Sequence, residues 1–201
     1  MKIAVFVSGR GSNLNAILNS PDLQNLVEVV AVVSDKIDCK AFEIVKEFGI
    51  KTFTVGAEEG KLKPNEISSV LKNLEVNLIV LAGYLKLIPD DLIEIFENRI
   101  INIHPALLPS FGGKGMYGLN VHRAVFNSSA KVSGATVHMV DKTYDTGKII
   151  AQKCVDISDV KSPEEIAERV LKIEHQLLPK VVKAFAENRV KIEQERILII
   201  N

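Results

Sequence analysis

The amino-acid sequence predicts an α/β protein built on a doubly wound, mostly parallel β-sheet. Short apolar runs alternate with amphipathic stretches between residues 3 and 104, and this alternation is typical of repeated βαβ units. The runs near residues 5, 30 and 80 are almost continuous in Val, Ile, Leu and Ala, which indicates strands covered on both faces. Right-handed crossovers between such strands place helices on both faces of the sheet.

The N-terminal half contains an alternating series of predicted strands and helices. Each strand is a short apolar run, and each helix is an amphipathic stretch between two such runs. The predicted strands are Ile3–Ser8, Val27–Ser34, Lys51–Val55, Asn77–Ala82 and Ile100–His104, and the predicted helices are Asn13–Ser20, Lys40–Phe48, Asn65–Asn73 and Asp90–Asn98.

The character of the sequence changes after His104. Residues 105–118 read PALLPSFGGKGMYG, and a loop this long and this rich in proline and glycine is often functional. Ser162, Pro163 and Glu165 form the start signal of a helix, which Pro179 is expected to kink or split. The predicted elements are helices Leu119–Asn127 and Ser162–Arg189, strands Gly134–Val140 and Lys148–Val155, and a terminal strand pair within Val190–Ile200. No internal repeat or linker interrupts the sequence, so one domain over residues 1–201 is expected.

Composition and charge disfavour several classes of protein. Lys+Arg and Asp+Glu both number 25, so no broad basic surface for a nucleic acid is expected, although a loop and a helix end can still bind a small phosphorylated substrate. Cys39 and Cys154 lie outside any CxxC pair, which argues against a disulfide framework or a zinc site. The apolar run Ile3–Val7 is too short for a signal peptide. No run reaches the roughly 20 residues of a membrane span, and a cytoplasmic protein is expected.

The segment SGRGSNL joins the first predicted strand to the first predicted helix. Such a turn exposes backbone N–H groups at the positive end of the helix dipole, which makes an anion site. Gly11, Ser12 and Asn13 form a candidate monophosphate cradle, and this interpretation is favoured. A plain tight turn with Ser12 or Asn13 as helix cap is one alternative. A dinucleotide motif is another: Asp35 ends the second strand as that motif requires, but Leu14 replaces its third glycine.

Two polar side chains mark the end of the fifth predicted strand. Asn102 and His104 are two residues apart, so they project from the same face of the strand, and Pro105 ends the strand immediately afterwards. Open α/β sheets bind their ligands at this carboxyl edge. An amide N–H donor beside an imidazole can stabilise a developing oxyanion while a proton moves. Asn102 and His104 are therefore the candidate catalytic pair.

A histidine that acts near neutral pH needs a partner that orients it or balances its charge. The candidates are Asp145 and Asp141, which both lie in the polar turn DKTYDTG between two predicted strands. Neither spacing nor periodicity selects one of them. The remaining histidines, His122, His138 and His175, lie within predicted elements, where a packing role is expected for each.

Four segments resemble the phosphoribosylglycinamide formyltransferase family of purine biosynthesis. They read SGRGSNL, LAGYLKLI, NIHPALLP and GATVHMVDKTYDTGKIIAQ, and the resemblance runs from Lys2 to about Ala184. The NIHP-x-LLP segment together with D-x-G is specific to folate-dependent formyltransferases, and GSNL indicates the glycinamide ribonucleotide enzyme among them. The resemblance implies a formyltransferase fold with a Rossmann-like, nucleotide-binding half at residues 1–104 and a folate-site and C-terminal half at residues 105–201.

The resemblance also implies a role for each site residue. His104 would be the proton donor, Asn102 would bind the formyl oxygen, and Asp145 rather than Asp141 would raise the pKa of His104 and relay protons. Backbone groups would line the pteridine pocket of 10-formyltetrahydrofolate, which would be a co-substrate, and no metal would be needed. The implied substrate-binding residues are Gly11, Ser12, Asn13 and Glu174, and the implied folate-binding residues are Leu85, Lys86, Leu87, Ile88, Asn102, Gly60 and Lys61.

The sequence departs from the family pattern at a folate contact. The family often has an arginine where Gly60 stands here, followed by Lys61, and a lysine offers a point charge rather than a bidentate fork. The partners implied are small molecules, with no nucleic acid and no membrane, for a monomer or weak homodimer. The alternative functions are another folate-dependent formyltransferase or formyltetrahydrofolate hydrolase, a dinucleotide-dependent oxidoreductase, and a non-catalytic nucleotide-binding module.

Overall fold

A computed structural model describes residues 1–200 of the chain. Within those residues the strands are β1 Lys2–Val7, β2 Glu28–Ser34, β3 Lys51–Thr54, β4 Leu78–Leu81, β5 Ile100–His104, β6 Val132–Met139, β7 Ile149–Asp156, β8 Val190–Ile192 and β9 Ile197–Ile199. The α-helices are α1 Ser12–Leu18, α2 Ala41–Lys46, α3 Ile67–Asn73, α4 Asp90–Ile95, α5 Leu119–Asn127 and α6 Pro163–Ala186, and a short 3₁₀ helix covers Pro21–Leu23.

The chain divides into two compact units, Met1–Asn102 and the part from Ile103 onward. In the first unit β1 pairs in parallel with β2 and β4, β2 with β3, and β4 with β5. Residues 3–7 of β1, residues 31–34 of β2 and all of β4 are buried, because helices return the chain across the faces of a parallel sheet. The predicted parallel, doubly wound sheet is confirmed here.

In the second unit β6 and β7 form an antiparallel hairpin, in which Thr136 is the cross-strand partner of Gln152. Helix α6 packs against β6, β7 and α5, and β8 pairs with β9, as predicted for the terminal strand pair. The strand order is β3-β2-β1-β4-β5-β6-β7 in a seven-stranded sheet, so the mostly parallel α/β fold class is confirmed.

The long C-terminal helix differs from its prediction in one respect. Ser162 caps it as expected, because the Ser162 Oγ accepts a hydrogen bond from the Glu165 N–H at 3.2 Å. Pro179 does not split it, since α6 is continuous over 24 residues. An interior proline costs a helix roughly 3 kcal/mol, and the apolar face of α6, which includes the buried Pro179, Val170 and Leu178, offsets that cost by packing.

Three of the shorter helices, α1, α2 and α4, end earlier than the sequence predicted. Helix α4 ends at Ile95 rather than Asn98, whose backbone has a left-handed φ of 57°. Helix α2 likewise ends at Lys46, before Gly49 with φ of 64°. Asparagine and glycine adopt this conformation most readily, and it ends a helix. No helix within residues 1–200 combines the length and the apolar character needed to cross a membrane.

Candidate active site

The candidate catalytic histidine stands at the end of β5. Ile101 and Ile103 of that strand are buried in the core, Asn102 between them is partly exposed, and His104 is only 3% exposed. The strand therefore ends in an imidazole that is almost completely withdrawn from solvent.

Both ring nitrogens of His104 face oxygen acceptors. The His104 Nε2 lies 2.9 Å from the Phe111 carbonyl oxygen, and because a carbonyl only accepts, this nitrogen carries a proton. The His104 Nδ1 lies 3.6 Å from the Asp145 Oδ1. An imidazole between a carbonyl and a carboxylate can carry protons on both nitrogens, which is the form that a proton donor needs.

Burial is the dominant influence on the proton affinity of His104. It lowers the pKa of the imidazole below its usual value, and the electrostatic influence of His138 lowers it further, although the Asp145 carboxylate and the Phe111 carbonyl act in the opposite direction. The expected raising effect of Asp145 is therefore present, but desolvation outweighs it. Without Asp145 the protonated form would be still less favourable.

The Asp145 carboxylate is held from several sides. Its Oδ2 accepts a hydrogen bond from the Gly113 N–H at 2.8 Å, and its Oδ1 lies 3.6 Å from both the His104 Nδ1 and the His138 Nε2. Burial raises the pKa of Asp145, but the interaction with His138, the Gly113 N–H and the charges of both imidazoles lower it, and the net direction is downward. Asp145 is thus ionised at neutral pH beside the histidine.

The sequence Asp145-Thr146-Gly147 is required by the path of the turn that follows β6. Asp145 has a left-handed φ of 60°, which aspartate tolerates better than most residues. A Cβ at Gly147 would lie 1.8 Å from the Met139 carbonyl oxygen, so only glycine allows the turn to pass this close to the end of β6. This close approach returns Asp145 toward the histidines.

His138 is a member of the cluster that sequence reasoning missed. The expectation was a packing residue within a strand, and it is indeed 2% exposed. Its Nδ1 lies 2.7 Å from the Met139 carbonyl oxygen, and its Nε2 faces the same Asp145 oxygen as His104. No spacing rule links His138 to Asp145, because a turn of irregular backbone separates them.

The rival carboxylate, Asp141, has a different environment. Its Oδ1 accepts hydrogen bonds from the Thr143 N–H at 3.0 Å and from the Thr146 hydroxyl at 2.8 Å. These bonds close a local turn. The geometry brings Asp145, and not Asp141, to the histidine.

The candidate phosphate cradle lies at the start of α1 in the first unit. Gly11 precedes the helix with a left-handed φ of 75°, and no side chain caps the helix. A Cβ at Gly11 would lie 2.7 Å from the Ala41 Cβ, so the glycine also permits close packing against α2. Ser12 is exposed and Asn13 is buried. Leu14 is fully buried, which explains an apolar residue where a dinucleotide motif has its third glycine.

The candidate folate segment follows β4 and is joined to the first loop. The Leu85 N–H donates to the Ser8 Oγ at 3.0 Å, and the Ser8 N–H donates to the Gly83 carbonyl at 3.1 Å. Leu85, Lys86 and Leu87 are exposed, whereas Ile88 is buried. Three of the four predicted residues are therefore exposed, and the fourth anchors the segment in the core.

Comparison with known proteins assigns the family. A family model described as formyl transferase matches residues 1–182. The chain is 45% identical over 204 residues to a chloroplastic phosphoribosylglycinamide formyltransferase of Arabidopsis thaliana, which covers 99% of this chain and 70% of that protein. It is 39% identical over 186 residues to the phosphoribosylglycinamide formyltransferase of Bacillus subtilis, which covers 90% of this chain and 93% of that protein. The chain belongs to the phosphoribosylglycinamide formyltransferase family.

The fold agrees with this membership. The crystal structure of the phosphoribosylglycinamide formyltransferase from Anaplasma phagocytophilum superimposes with a TM-score of 0.90 at 33% identity, over 100% of this chain and 95% of that chain. The chain is therefore a formyl-transferring enzyme, as the resemblance of its motifs predicted.

The residues at the family's arginine position lie in a turn of the first unit. Gly60 has a left-handed φ of 83° and is exposed. The Lys61 Nζ donates to the Asp35 carbonyl at 2.8 Å and forms an ion pair with Glu58, and the Lys61 side chain is only 10% exposed. In this formyltransferase the lysine that follows the arginine position thus binds its own chain.

The remaining predicted residues lie on the helices of the second unit. Glu174 is buried on α6, His122 is buried on α5, and His175 is partly exposed. Burial and the charge of His104 lower the pKa of His122 to about 4, so His122 is neutral at physiological pH. The role of Glu174 as a substrate contact stays a prediction.

Proposed function

We propose that this formyltransferase moves the formyl group of 10-formyltetrahydrofolate to the primary amine of glycinamide ribonucleotide, with His104, Asn102 and Asp145 as its catalytic residues. The observation that carries the proposal is the pair of His104 and Asp145, buried together with 3.6 Å between the His104 Nδ1 and the Asp145 Oδ1. An ionised carboxylate at this distance favours the imidazolium, which can donate a proton in a site from which water is excluded.

The first step forms a carbon–nitrogen bond. The amine of the nucleotide attacks the formyl carbon, and the formyl oxygen takes the negative charge of a tetrahedral intermediate. The Asn102 amide and the protonated His104 donate hydrogen bonds to that oxygen, and donors fixed in advance stabilise such an oxyanion strongly. The Phe111 carbonyl must release the His104 Nε2 if this nitrogen is the donor, because one N–H cannot serve two acceptors well.

The second step breaks the bond between the formyl carbon and the folate nitrogen. The leaving nitrogen gains one proton and the attacking amine loses one, so the reaction consumes no net proton. Asp145, which is ionised in the resting enzyme, takes up the proton that the amine loses, and passing that proton to His104 restores both the carboxylate and the imidazolium. The residues needed are an acid, a base and an oxyanion donor, and His104, Asp145 and Asn102 supply these three roles.

Binding of the two substrates is assigned to the two loops of the first unit. The backbone N–H groups of Gly11, Ser12 and Asn13 hold the phosphate of the nucleotide, because the N-terminus of a helix attracts an anion through its N–H groups and its dipole. The backbone of residues 85–88 holds the pteridine ring of the folate. Glu174 binds the glycinamide end, and Gly60 and Lys61 contact the folate only if the Lys61 ion pair opens.

A spectrophotometric assay of tetrahydrofolate release tests the proposal. We expect release from 10-formyltetrahydrofolate only when glycinamide ribonucleotide is present, in equal amounts with the formylated nucleotide. Release at the same rate without the nucleotide would identify a hydrolase instead. Reduction of a nicotinamide cofactor by the chain would identify an oxidoreductase, which the buried Leu14 in the glycine position disfavours.

The domain division, the partners, the location and the oligomeric state of the protein stay predictions. The proposal treats residues 1–201 as one formyltransferase domain with a nucleotide-binding half at residues 1–104 and a folate-site half at residues 105–201. The partners that it requires are two small molecules, and no metal takes part in the steps above. A cytoplasmic location and a monomer or weak homodimer remain expectations.

A further inference from the structure

The hydroxyl of Thr136 joins the β6–β7 hairpin to the loop that follows His104. The Thr136 Oγ1 donates to the Ala106 carbonyl at 2.6 Å and accepts from the Leu108 N–H at 3.0 Å. The Gln152 Nε2 donates to the same hydroxyl at 3.0 Å and to the Leu108 carbonyl at 2.8 Å. Two side chains of the hairpin thus satisfy three backbone groups of the loop.

These loop groups have no access to water. Ala106 and Thr136 are 0% exposed and Leu108 is 4% exposed. A buried backbone donor or acceptor that loses its partner is strongly unfavourable, so the loop cannot leave the hairpin at residues 106–108 without losing these bonds. The two side chains face each other as a registered cross-strand pair, and each limits the movement of the other.

The loop that Thr136 and Gln152 hold starts next to the catalytic histidine and later returns to it. It starts directly after His104, and its return brings the Phe111 carbonyl to within 2.9 Å of the His104 Nε2. The turn at the end of the same hairpin carries Asp145, 3.6 Å from the His104 Nδ1. The β6–β7 hairpin therefore holds both the Asp145 carboxylate and the loop that bonds to the His104 imidazole.

We propose that Thr136 and Gln152 are positioning residues that fix His104 against Asp145 by clamping residues 106–108 to the β6–β7 hairpin. The proposal rests on the function proposed above for His104 and Asp145. The proposal gives neither clamping residue a contact with a substrate. Their effect is on the distance between two catalytic groups, to which rates are sensitive, since a displacement of about 1 Å can cost on the order of 100-fold.

The chain offers a set of variants for the test. Thr136→Val keeps the shape of the side chain but removes the hydroxyl, and Thr136→Ser keeps the hydroxyl. Gln152→Leu removes the donor to Leu108 from an exposed position. Ser133→Ala is the matched control, because Ser133 lies on the same strand, is 3% exposed, and its hydroxyl has no hydrogen-bond partner within residues 1–200.

The first readout is steady-state formyl transfer by each variant, expressed per folded molecule. We expect Thr136→Val to lower kcat by about 10- to 100-fold, while the KM for the nucleotide changes by less than about twofold, because the clamp residues are not among those proposed to hold the nucleotide. Thr136→Ser should stay within about threefold of the parent and Ser133→Ala should match it. Hydrogen exchange at the Leu108 amide should accelerate in Thr136→Val and not in Ser133→Ala.

The second readout is an NMR titration of the His104 ring, which needs no activity. Besides Asp145, the titratable groups that act on His104 are His138 from β6 and His122 from α5. A looser contact with Asp145 should lower the pKa of His104 in Thr136→Val and in Gln152→Leu. A purely structural role would lower the melting temperature and leave this pKa unchanged.

The outcomes separate the inference from the proposed function. A Thr136→Val enzyme with the parent kcat and the parent His104 titration would overturn the inference, whatever its thermal stability. If Thr136→Val does not fold, the same two results for Gln152→Leu decide the matter. A parent protein without formyl transfer would refute the proposed function, and the titration would still decide whether Thr136 and Gln152 fix the contact between His104 and Asp145.

Discussion

Replacing Asp145 by asparagine should disable the catalytic histidine while preserving its surroundings. Asparagine has the same shape and retains an oxygen that can accept from the Gly113 N–H, so the main loss is the negative charge. That charge lies 3.6 Å from the His104 Nδ1 in a side chain that is 11% exposed, where screening by solvent is weak. At an effective dielectric constant near 20 the attraction amounts to about 4–5 kcal/mol.

This energy sets the scale of the expected effect. Complete loss of about 4 kcal/mol from the transition state corresponds to about 1,000-fold in rate, and we expect Asp145→Asn to lower kcat/KM by about 100- to 1,000-fold at neutral pH. Asp145 raises the pKa of His104 against the effect of burial. Its removal should therefore move the fall of activity at high pH to lower pH, since fewer molecules carry the imidazolium at any given pH.

The assay is the pH dependence of formyl transfer, measured for the parent, for Asp145→Asn and for Asp141→Asn. Asp141 lies in the same turn and its carboxylate binds Thr143 and Thr146, so its variant should keep activity within about twofold. An Asp145→Asn enzyme with an unchanged pH profile, or with a profile shifted to higher pH, would refute the role of Asp145 in keeping His104 protonated.

Three further predictions follow from the same structure. Asn102→Ala and His104→Ala should each lower kcat by at least about 100-fold with unchanged circular dichroism, and near-normal turnover by both would contradict their assignment. Gly147→Ala should destabilise the protein by roughly 1–3 kcal/mol and remove most activity, because its Cβ would lie 1.8 Å from the Met139 carbonyl oxygen; an unchanged melting temperature would count against this. Neutral His122, with a pKa of about 4 against about 6.5 when unfolded, stabilises the fold fully above pH 6.5 and progressively less as the pH falls. Between pH 7 and pH 4 the free energy of unfolding in urea should therefore fall by up to about 3 kcal/mol less in His122→Gln than in the parent. An equal fall of this free energy in both proteins would exclude the role.

The parallel sheet could be predicted from the sequence because its signal is local. A strand buried on both faces needs a continuous apolar run, and β5 and α5 have the predicted bounds. The predicted bounds of helices are wrong where tertiary packing or backbone conformation determines where a helix ends. Pro179 marks the end of a helix by its own chemistry, but the buried face of α6 keeps the helix continuous.

The candidate site was predictable only in part, for a similar reason. Asn102 and His104 share a strand end, so their alternation was enough to pair them. The choice of Asp145 over Asp141 depends on how a turn passes over Met139, which is a contact between distant residues. His138 joins the cluster through that same turn, and a lone histidine in an apolar strand gives no sign of it. The Thr136 clamp depends on backbone groups of another loop, which no side-chain pattern records.

The most direct test of formyl transfer at His104 follows the carbon itself. Donor folate carrying a ¹³C-labelled formyl group is mixed with glycinamide ribonucleotide and the parent enzyme, and the label is located by NMR. We expect one label on the glycinamide nitrogen for each tetrahydrofolate released, and we expect His104→Ala to leave the label on the folate. Label recovered as free formate, or transferred equally well by His104→Ala, would contradict it.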